Sequence, residues 1–168
     1  MILVTGAAGF IGSSVALALL ARGEAVLGLD NLSDYYDVRL KEARLARLAH
    51  PAFTFRKLDI SNRDDVLALA REFPQITGIV HLAAQPGVRF SLIDPYIYVR
   101  TNVLGHVGME EFARVLPGMK HFVYTSSSSV YGANEKQPVS ERDPVEKPNS
   151  LYAASKRADE LSGHVYAH

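Results

Sequence analysis

The chain contains no cysteine, which excludes a disulfide framework, a thiolate nucleophile and cysteine-ligated zinc or iron–sulfur centres, and fits a reducing compartment. It also lacks an excess of either charge. Lys and Arg number 18, as do Asp and Glu, so no global field draws it to nucleic acid or an anionic membrane. Any anion it binds must be held locally. A long apolar run is missing too: the first apolar stretch is broken by Gly6 and Gly9 and has no basic flank, so it reads as neither a signal peptide nor a membrane span. Internal repeats are absent, as are low-complexity tracts beyond the run Ser126 to Ser129. What is present is 48% hydrophobic and 21% charged over 168 residues, enough for one ordinary core. The expectation is a soluble, cytoplasmic protein with neither nucleic acid nor membrane as partner.

Strand and helix signals alternate along the chain. Ile2 to Thr5 is a short apolar, β-branched run of the kind buried on both faces of a parallel sheet. A glycine-punctuated turn follows, then an Ala- and Leu-rich helical pattern from Phe10 to Arg22 that Gly23 ends. Ala25 to Leu29 reads as a second strand closing at Asp30, which makes a unit as long as a right-handed crossover needs. Further helices are predicted at Val38 to Ala49, Asp64 to Glu72 with Ser61 as its cap, a longer region between Pro95 and Val115, and Ser150 to Tyr166. Further strands are predicted at Phe53 to Lys57, Gly78 to Leu82 and His121 to Thr125, and a loop at Gly132 to Asn149. This order predicts an α/β fold, a doubly wound parallel sheet of the Rossmann kind with ligands at the carboxyl ends of its strands. Five strands are visible where such a sheet has six or more, so either another chain closes the sheet or the chain is a fragment.

Two constellations carry chemistry. Gly6, Gly9 and Gly12 form G-x-x-G-x-x-G between strand and helix; glycines there allow a tight turn and bring backbone N–H groups and a helix N-terminus to a pyrophosphate. Asp30 ends the next strand, where a carboxylate accepts hydrogen bonds from an adenosine ribose and repels a 2′-phosphate, favouring NAD over NADP. Tyr152 and Lys156 stand four apart on the last helix, so both project from one face. An ammonium beside a phenol lowers its pKa toward the working range of a general base. Hydroxyls at Ser126 to Ser129 end the fifth strand and can orient a reacting oxygen toward the tyrosine.

With these pieces in place, the chain resembles the extended short-chain dehydrogenase/reductase family of nucleotide-sugar epimerases and dehydratases over essentially its whole length. The segments Asp30 to Asp37, His81 to Arg89 and Ser126 to Gly132 look most like its UDP-glucuronate 4-epimerase branch. The resemblance implies an NAD-dependent enzyme that interconverts UDP-glucuronate and UDP-galacturonate through a transient 4-keto sugar, acting as a homodimer, with an NAD-binding domain over 1–168 and a C-terminal substrate-binding domain outside the chain. It places Phe10, Ile11 and Asn31 with the glycines and Asp30 at the cofactor, Asp59 and Ile60 by the adenine, and Leu82, Ala83 and Ala84 along the cofactor. It further places Asn102, Thr125 and Ser126 on the nicotinamide side, Ser127, Tyr152 and Lys156 as the catalytic set with Tyr152 and Lys156 also at the cofactor, and Gln85 and Arg89, with Ser127, on the substrate. Sugar 4,6-dehydratases have an Asp-Glu pair before the Val-Tyr-Gly and the decarboxylases a Glu immediately before it; here Ser128 and Ser129 stand there. That favours epimerisation. The competing readings are a decarboxylase, a dehydratase, a net dehydrogenase, and a non-catalytic NAD-binding module.

The six histidines suggest no metal site. His164 and His168 have helical spacing without a completing carboxylate, and His81 at an apolar strand end reads as a hydrogen-bonded structural residue. Arg39, Lys41, Arg44 and Arg47 form a basic stripe that reads as a solvated helix face.

Overall fold

A computed structural model describes residues 1–136 and 138–167. Five strands, β1 (Ile2–Thr5), β2 (Val26–Asp30), β3 (Phe53–Lys57), β4 (Gly78–His81) and β5 (His121–Tyr124), form one sheet in the order β3-β2-β1-β4-β5. Every pairing is parallel, with Ile2 in register with Val26 on one side and with Gly78 on the other. The chain winds from β1 outward through β2 to β3, then returns to the other side of β1. The order therefore reverses between β1 and β4, where a crevice opens at the carboxyl ends of the strands.

The apolar runs form strands because both faces of the sheet are covered. Leu3, Leu27, Leu29 and Ile79 face one way, onto Val66 and Leu69 of α3 (Arg63–Glu72) and Met109 and Phe112 of α5 (Gly105–Val115). Val4 and Val26 face the other way, onto Ala16 and Leu20 of α1 (Phe10–Ala21) and onto Leu48, which follows α2 (Val38–Ala46). Burial of each large side chain contributes about 1.5–3 kcal/mol, so these two layers hold the strand ends that carry the site.

Beyond one-residue differences at strand and helix ends, three details differ from the sequence reading. The cap of α3 is Asn62, not Ser61, because the Ser61 hydroxyl donates instead to Asp59 at 2.7 Å. The Val38 helix stops at Ala46 rather than Ala49. The region from Pro95 to Val115 is helical throughout, but α4 (Pro95–Tyr98) and α5 are joined by a π-helical stretch, Val99–Leu104. The last helix, α6 (Leu151–Tyr166), starts as predicted: the Ser150 hydroxyl accepts from the Ala153 amide at 3.0 Å.

Candidate active site

The glycine turn lies between β1 and α1. Its positive-φ residue, Gly6 (φ 69°), sits against the segment that follows β4: a Cβ placed there would stand 3.0 Å from the Ala83 nitrogen. This close approach joins the turn and Leu82 to Ala84 into the two walls of one crevice. Thr5 ties the walls together. Its hydroxyl oxygen accepts from the amides of Leu82 (3.1 Å) and Ala83 (3.0 Å), so its proton points to His81 Nδ1, 2.7 Å away. His81 is thus the structural histidine expected, and burial holds its pKa well below the ordinary value.

At the mouth of this crevice Phe10 is 76% exposed and Ile11 59%, while the first amides of α1 have no intrahelical acceptor. Asp30 ends β2 beside them. One of its oxygens accepts from the Ala8 amide at 3.1 Å and the other from Leu32 at 2.8 Å, so the carboxylate braces the turn from below. Lys41 is buried with its ammonium 3.4 Å from Asp30, and Arg44 donates to the Tyr36 hydroxyl at 2.9 Å and flanks the Phe10 ring. The basic stripe is therefore not a solvated face: Arg39 and Arg47 are exposed, but Lys41 and Arg44 turn in toward the glycine turn. The missed signal was the pairing of an acidic strand end with two cations three apart on the next helix.

Farther along, Asn31 donates to Asp59 at 3.1 Å. Burial pushes the Asp59 carboxyl up, but hydrogen bonds from Ser61 and Asn31 outweigh it and hold the group below its ordinary range. Asp59 lines an open polar recess with Ser61, Arg63 and Arg100, whereas the Ile60 side chain is buried in the core. Asn102 lies within the π-helical stretch. Its carbonyl oxygen accepts from the Gln85 amide at 2.7 Å, and its NH₂ donates to the Gln85 carbonyl and to Ser155. Gln85 is held there with its side chain buried, while Arg89 is exposed at the start of a short 3₁₀ turn, Phe90–Leu92.

Tyr152 and Lys156 lie at the first turns of α6. The Lys156 ammonium donates to the Thr125 carbonyl at 3.0 Å and to Asp159 at 3.1 Å, which fastens α6 to the end of β5. The Tyr152 ring packs edge-on against Tyr98, centroids 6.1 Å apart, and the Tyr98 hydroxyl lies 2.8 Å from the Pro86 carbonyl. Ser127 follows β5 and caps a 3₁₀ turn, Ser128–Tyr131; its oxygen accepts from the Ser129 amide at 3.2 Å and lies 2.9 Å from the Ser129 hydroxyl. Ser126 donates to Glu160 at 2.5 Å. The structure thus gathers the glycine turn, Asp30, Leu82 to Asn102 and the Ser126-Tyr152-Lys156 region along the carboxyl edge of a single sheet. Of the histidine pair considered above, His168 lies outside the described residues.

Sequence reasoning also missed the buried charge behind this site. His106 and Glu110 of α5 are buried with Nε2 and Oε1 3.2 Å apart, and Ser162 donates to Glu110 at 3.2 Å. Burial pushes Glu110 up to about 7, Asp159 up to about 6 and His106 down to about 4. A carboxyl raised in this way keeps its proton in the fold after the unfolded chain has lost it. Glu110 therefore favours the fold fully below its unfolded value, and that contribution disappears as pH rises through about 7. Asp159 acts in the same direction up to about 6, and His106 in the opposite direction above about 4. Glu110→Gln, which keeps a neutral polar group, removes the largest of the acid-side contributions. The stability of the variant relative to the parent is expected to rise by about 3 kcal/mol between pH 4.5 and pH 8. Denaturant unfolding across that range checks it, and parallel stability curves would refute the assignment.

A family model described as the NAD dependent epimerase/dehydratase family matches residues 2–168. Among curated relatives, UDP-glucuronate 4-epimerase 1 of Arabidopsis thaliana is 46% identical over 169 residues, covering 99% of this chain and 39% of its own. A crystal structure of UDP-glucuronic acid 4-epimerase from Bacillus cereus, in complex with UDP-glucuronic acid and NAD, superposes with a TM-score of 0.86 at 36% identity, over 98% of this chain and 51% of that one. A dTDP-glucose 4,6-dehydratase from Streptomyces venezuelae, a double mutant with NAD bound, superposes nearly as well, with a TM-score of 0.84 at 32% identity, over 99% of this chain and 50% of that one. The chain spans about half the length of the first curated relatives it matches. The five-stranded order, the glycine turn at its switch point and the match from Ile2 onward agree: the chain belongs to the NAD-dependent epimerase/dehydratase family.

Proposed function

We propose that these residues form the NAD-binding portion of a UDP-sugar 4-epimerase, with UDP-glucuronate and UDP-galacturonate as the interconverted pair, and that substrate contacts are completed by sequence beyond the matched half. The observation that carries this reading is the anchoring of Lys156 to the Thr125 carbonyl, which sets the Tyr152 helix against the strand end bearing Ser126 and Ser127.

The residues present fit NAD. Gly6, Gly9 and Gly12 leave the backbone open at the N-terminus of α1, where amides suit a diphosphate. Asp30 and Asn31 suit the adenosine ribose, Asp59 the adenine edge, and Lys156, with one ammonium proton beyond those given to Thr125 and Asp159, the ribose on the nicotinamide side. NAD held by these residues would supply the hydride acceptor and donor for the sugar carbon. Tyr152 takes the 4-hydroxyl proton and later gives it back, Lys156 stands one turn along the same helix as its partner, and Ser127 holds the oxygen. Gln85 and Arg89 are assigned to the substrate side. Ser128 and Ser129 offer no carboxyl group for eliminating water, which favours epimerisation over the dehydratase chemistry of a structural neighbour.

A homodimer belongs to the same reading. Leu92, Ile93, Tyr96 and Leu104 near the π-helical stretch and Val165 on α6 are exposed and apolar, which supports a second copy packing there. None of the described helices is long and apolar enough to cross a membrane.

Native mass spectrometry and calorimetry with NAD⁺ and NADP⁺ test the cofactor reading: the chain is expected to bind NAD⁺ more tightly, and equal or inverted preference would refute the role given to Asp30. Proton NMR of UDP-glucuronate incubated with the complete enzyme tests the reaction. Galacturonate without loss of CO₂ or water and without net NADH is the expected result, whereas a pentose or 4-keto product would assign the neighbouring chemistry. Cofactor binding with no turnover by any form would make it a binding module.

A further inference from the structure

Behind the Tyr152 helix the fold buries four ionisable side chains. His106, Glu110, Lys156 and Asp159 are between 1% and 4% exposed, and they meet where α5 and α6 lie against β4 and β5. Asp159 Oδ2 accepts from Lys156, but Oδ1 has no partner among the described residues, and neither does Glu110 Oε2; both ring nitrogens of His106 also lack an aligned hydrogen bond. A buried carboxylate with an unsatisfied oxygen is costly, and an apolar side chain of similar size would serve stability as well or better. An anion kept there acts on the cation it touches.

That cation is Lys156. Of its three protons, one goes to the Thr125 carbonyl and one to Asp159, and this pair of acceptors fixes the direction of the third. Other ionisable groups around Asp159 are engaged elsewhere or uncharged. On α6, Glu160 is held by Ser126 and Arg157; on α5, Glu111 is held by Arg114 and Tyr166, and Glu110 faces His106 and Ser162. From the sheet, His81 of β4 and Tyr124 of β5 face the same space, and burial disfavours the charged form of each.

We propose that Asp159 is a positioning residue for the Tyr152–Lys156 pair: from behind, it keeps the Lys156 ammonium charged inside the fold and aims its free proton, with His106 and Glu110 as its buried backing. The role rests on the reading of Lys156 as the partner of Tyr152. The charge relation between Asp159 and Lys156 is testable without it.

The experiment is carbon-13 NMR of the 168-residue chain labelled at lysine Cε, with the Lys156 signal assigned through Lys156→Arg and folding checked by circular dichroism. In Asp159→Asn the Lys156 titration is expected to move down by about one pH unit or more, as loss of an opposite charge in contact requires, and Asp159→Glu is expected to recover part of the shift. A purely structural Asp159 would leave that titration in place, so coincident Lys156 curves in parent and Asp159→Asn would overturn the proposal. Should Asp159→Asn not fold, the parent decides. Its Lys156 signal is expected to show a second, smaller step near pH 6 as Asp159 gains its proton, and a flat response there would overturn the proposal equally. NAD⁺ binding on the same samples separates the two claims. A displaced Lys156 titration in a chain that binds no NAD⁺ supports the charge relation between Asp159 and Lys156 and removes the cofactor reading.

Discussion

Tyr152→Phe is expected to lower the rate of 4-epimerisation in the complete enzyme by roughly 10²- to 10⁴-fold, the usual contribution of a positioned general acid–base group, with little change in NAD⁺ binding. The expectation follows from what the substitution leaves alone. The phenyl ring still packs edge-on against Tyr98, and Lys156 is still anchored by Thr125 and Asp159. Only the hydroxyl is lost, and with it the group proposed to take the sugar proton. Ser127 cannot substitute. Its oxygen is already engaged with the Ser129 amide and hydroxyl, and a serine hydroxyl is a far weaker acid than a phenol. The measurement is kcat for UDP-glucuronate by NMR, beside calorimetric NAD⁺ affinity. Near-parental kcat would remove Tyr152 from the chemistry. A parallel collapse of NAD⁺ affinity would instead assign it to cofactor binding.

The parts of this site that could be read from sequence are those fixed by local chemistry. The glycine turn, the acid ending β2 and the four-residue step from Tyr152 to Lys156 each follow from backbone geometry over a few residues. The five strands were legible because burial on both faces leaves continuous apolar runs. What was not legible depends on contacts between distant elements. Lys41 and Arg44 look like a solvated stripe until β2 brings Asp30 beneath them. His106 and Glu110 are spaced like an exposed helix pair, and they are buried only because α6 packs over α5 against β5. The π-helical stretch has no compositional mark. From within it Asn102 reaches two distant elements, accepting from Gln85 in the segment after β4 and donating to Ser155 of α6.

The glycine turn gives the second large prediction, because its three glycines do different work. A Cβ on Gly12 would lie 2.0 Å from the Gly6 carbonyl oxygen and 2.7 Å from its carbon, both backbone atoms that cannot rotate away. Gly12→Ala must therefore push α1 off the turn, loosening Ala16 and Leu20 from Val4 and Val26. The expected loss is about 3 kcal/mol or more, the upper range for overpacking, or ~10 °C in Tm for a chain of this size. A Cβ on Gly9 meets only the Gly6 oxygen, at 3.0 Å, and nothing else before 4.0 Å. Gly9→Ala is expected to cost about 1 kcal/mol or less, while weakening NAD⁺ binding more than stability, since the second glycine of such a turn is where backbone meets pyrophosphate. Gly6→Ala lies between them in stability, combining its positive φ, worth about 1–2 kcal/mol, with backbone 3.0 Å away at Ala83. Thermal unfolding of the three variants, each with an NAD⁺ titration, checks the order. If Gly9→Ala melts as low as Gly12→Ala, the turn is uniformly packed, and no glycine in it is reserved for the dinucleotide. If Gly12→Ala melts like the parent, α1 approaches β1 less closely than the 2.0 Å contact requires, and the pyrophosphate site built on that approach fails with it.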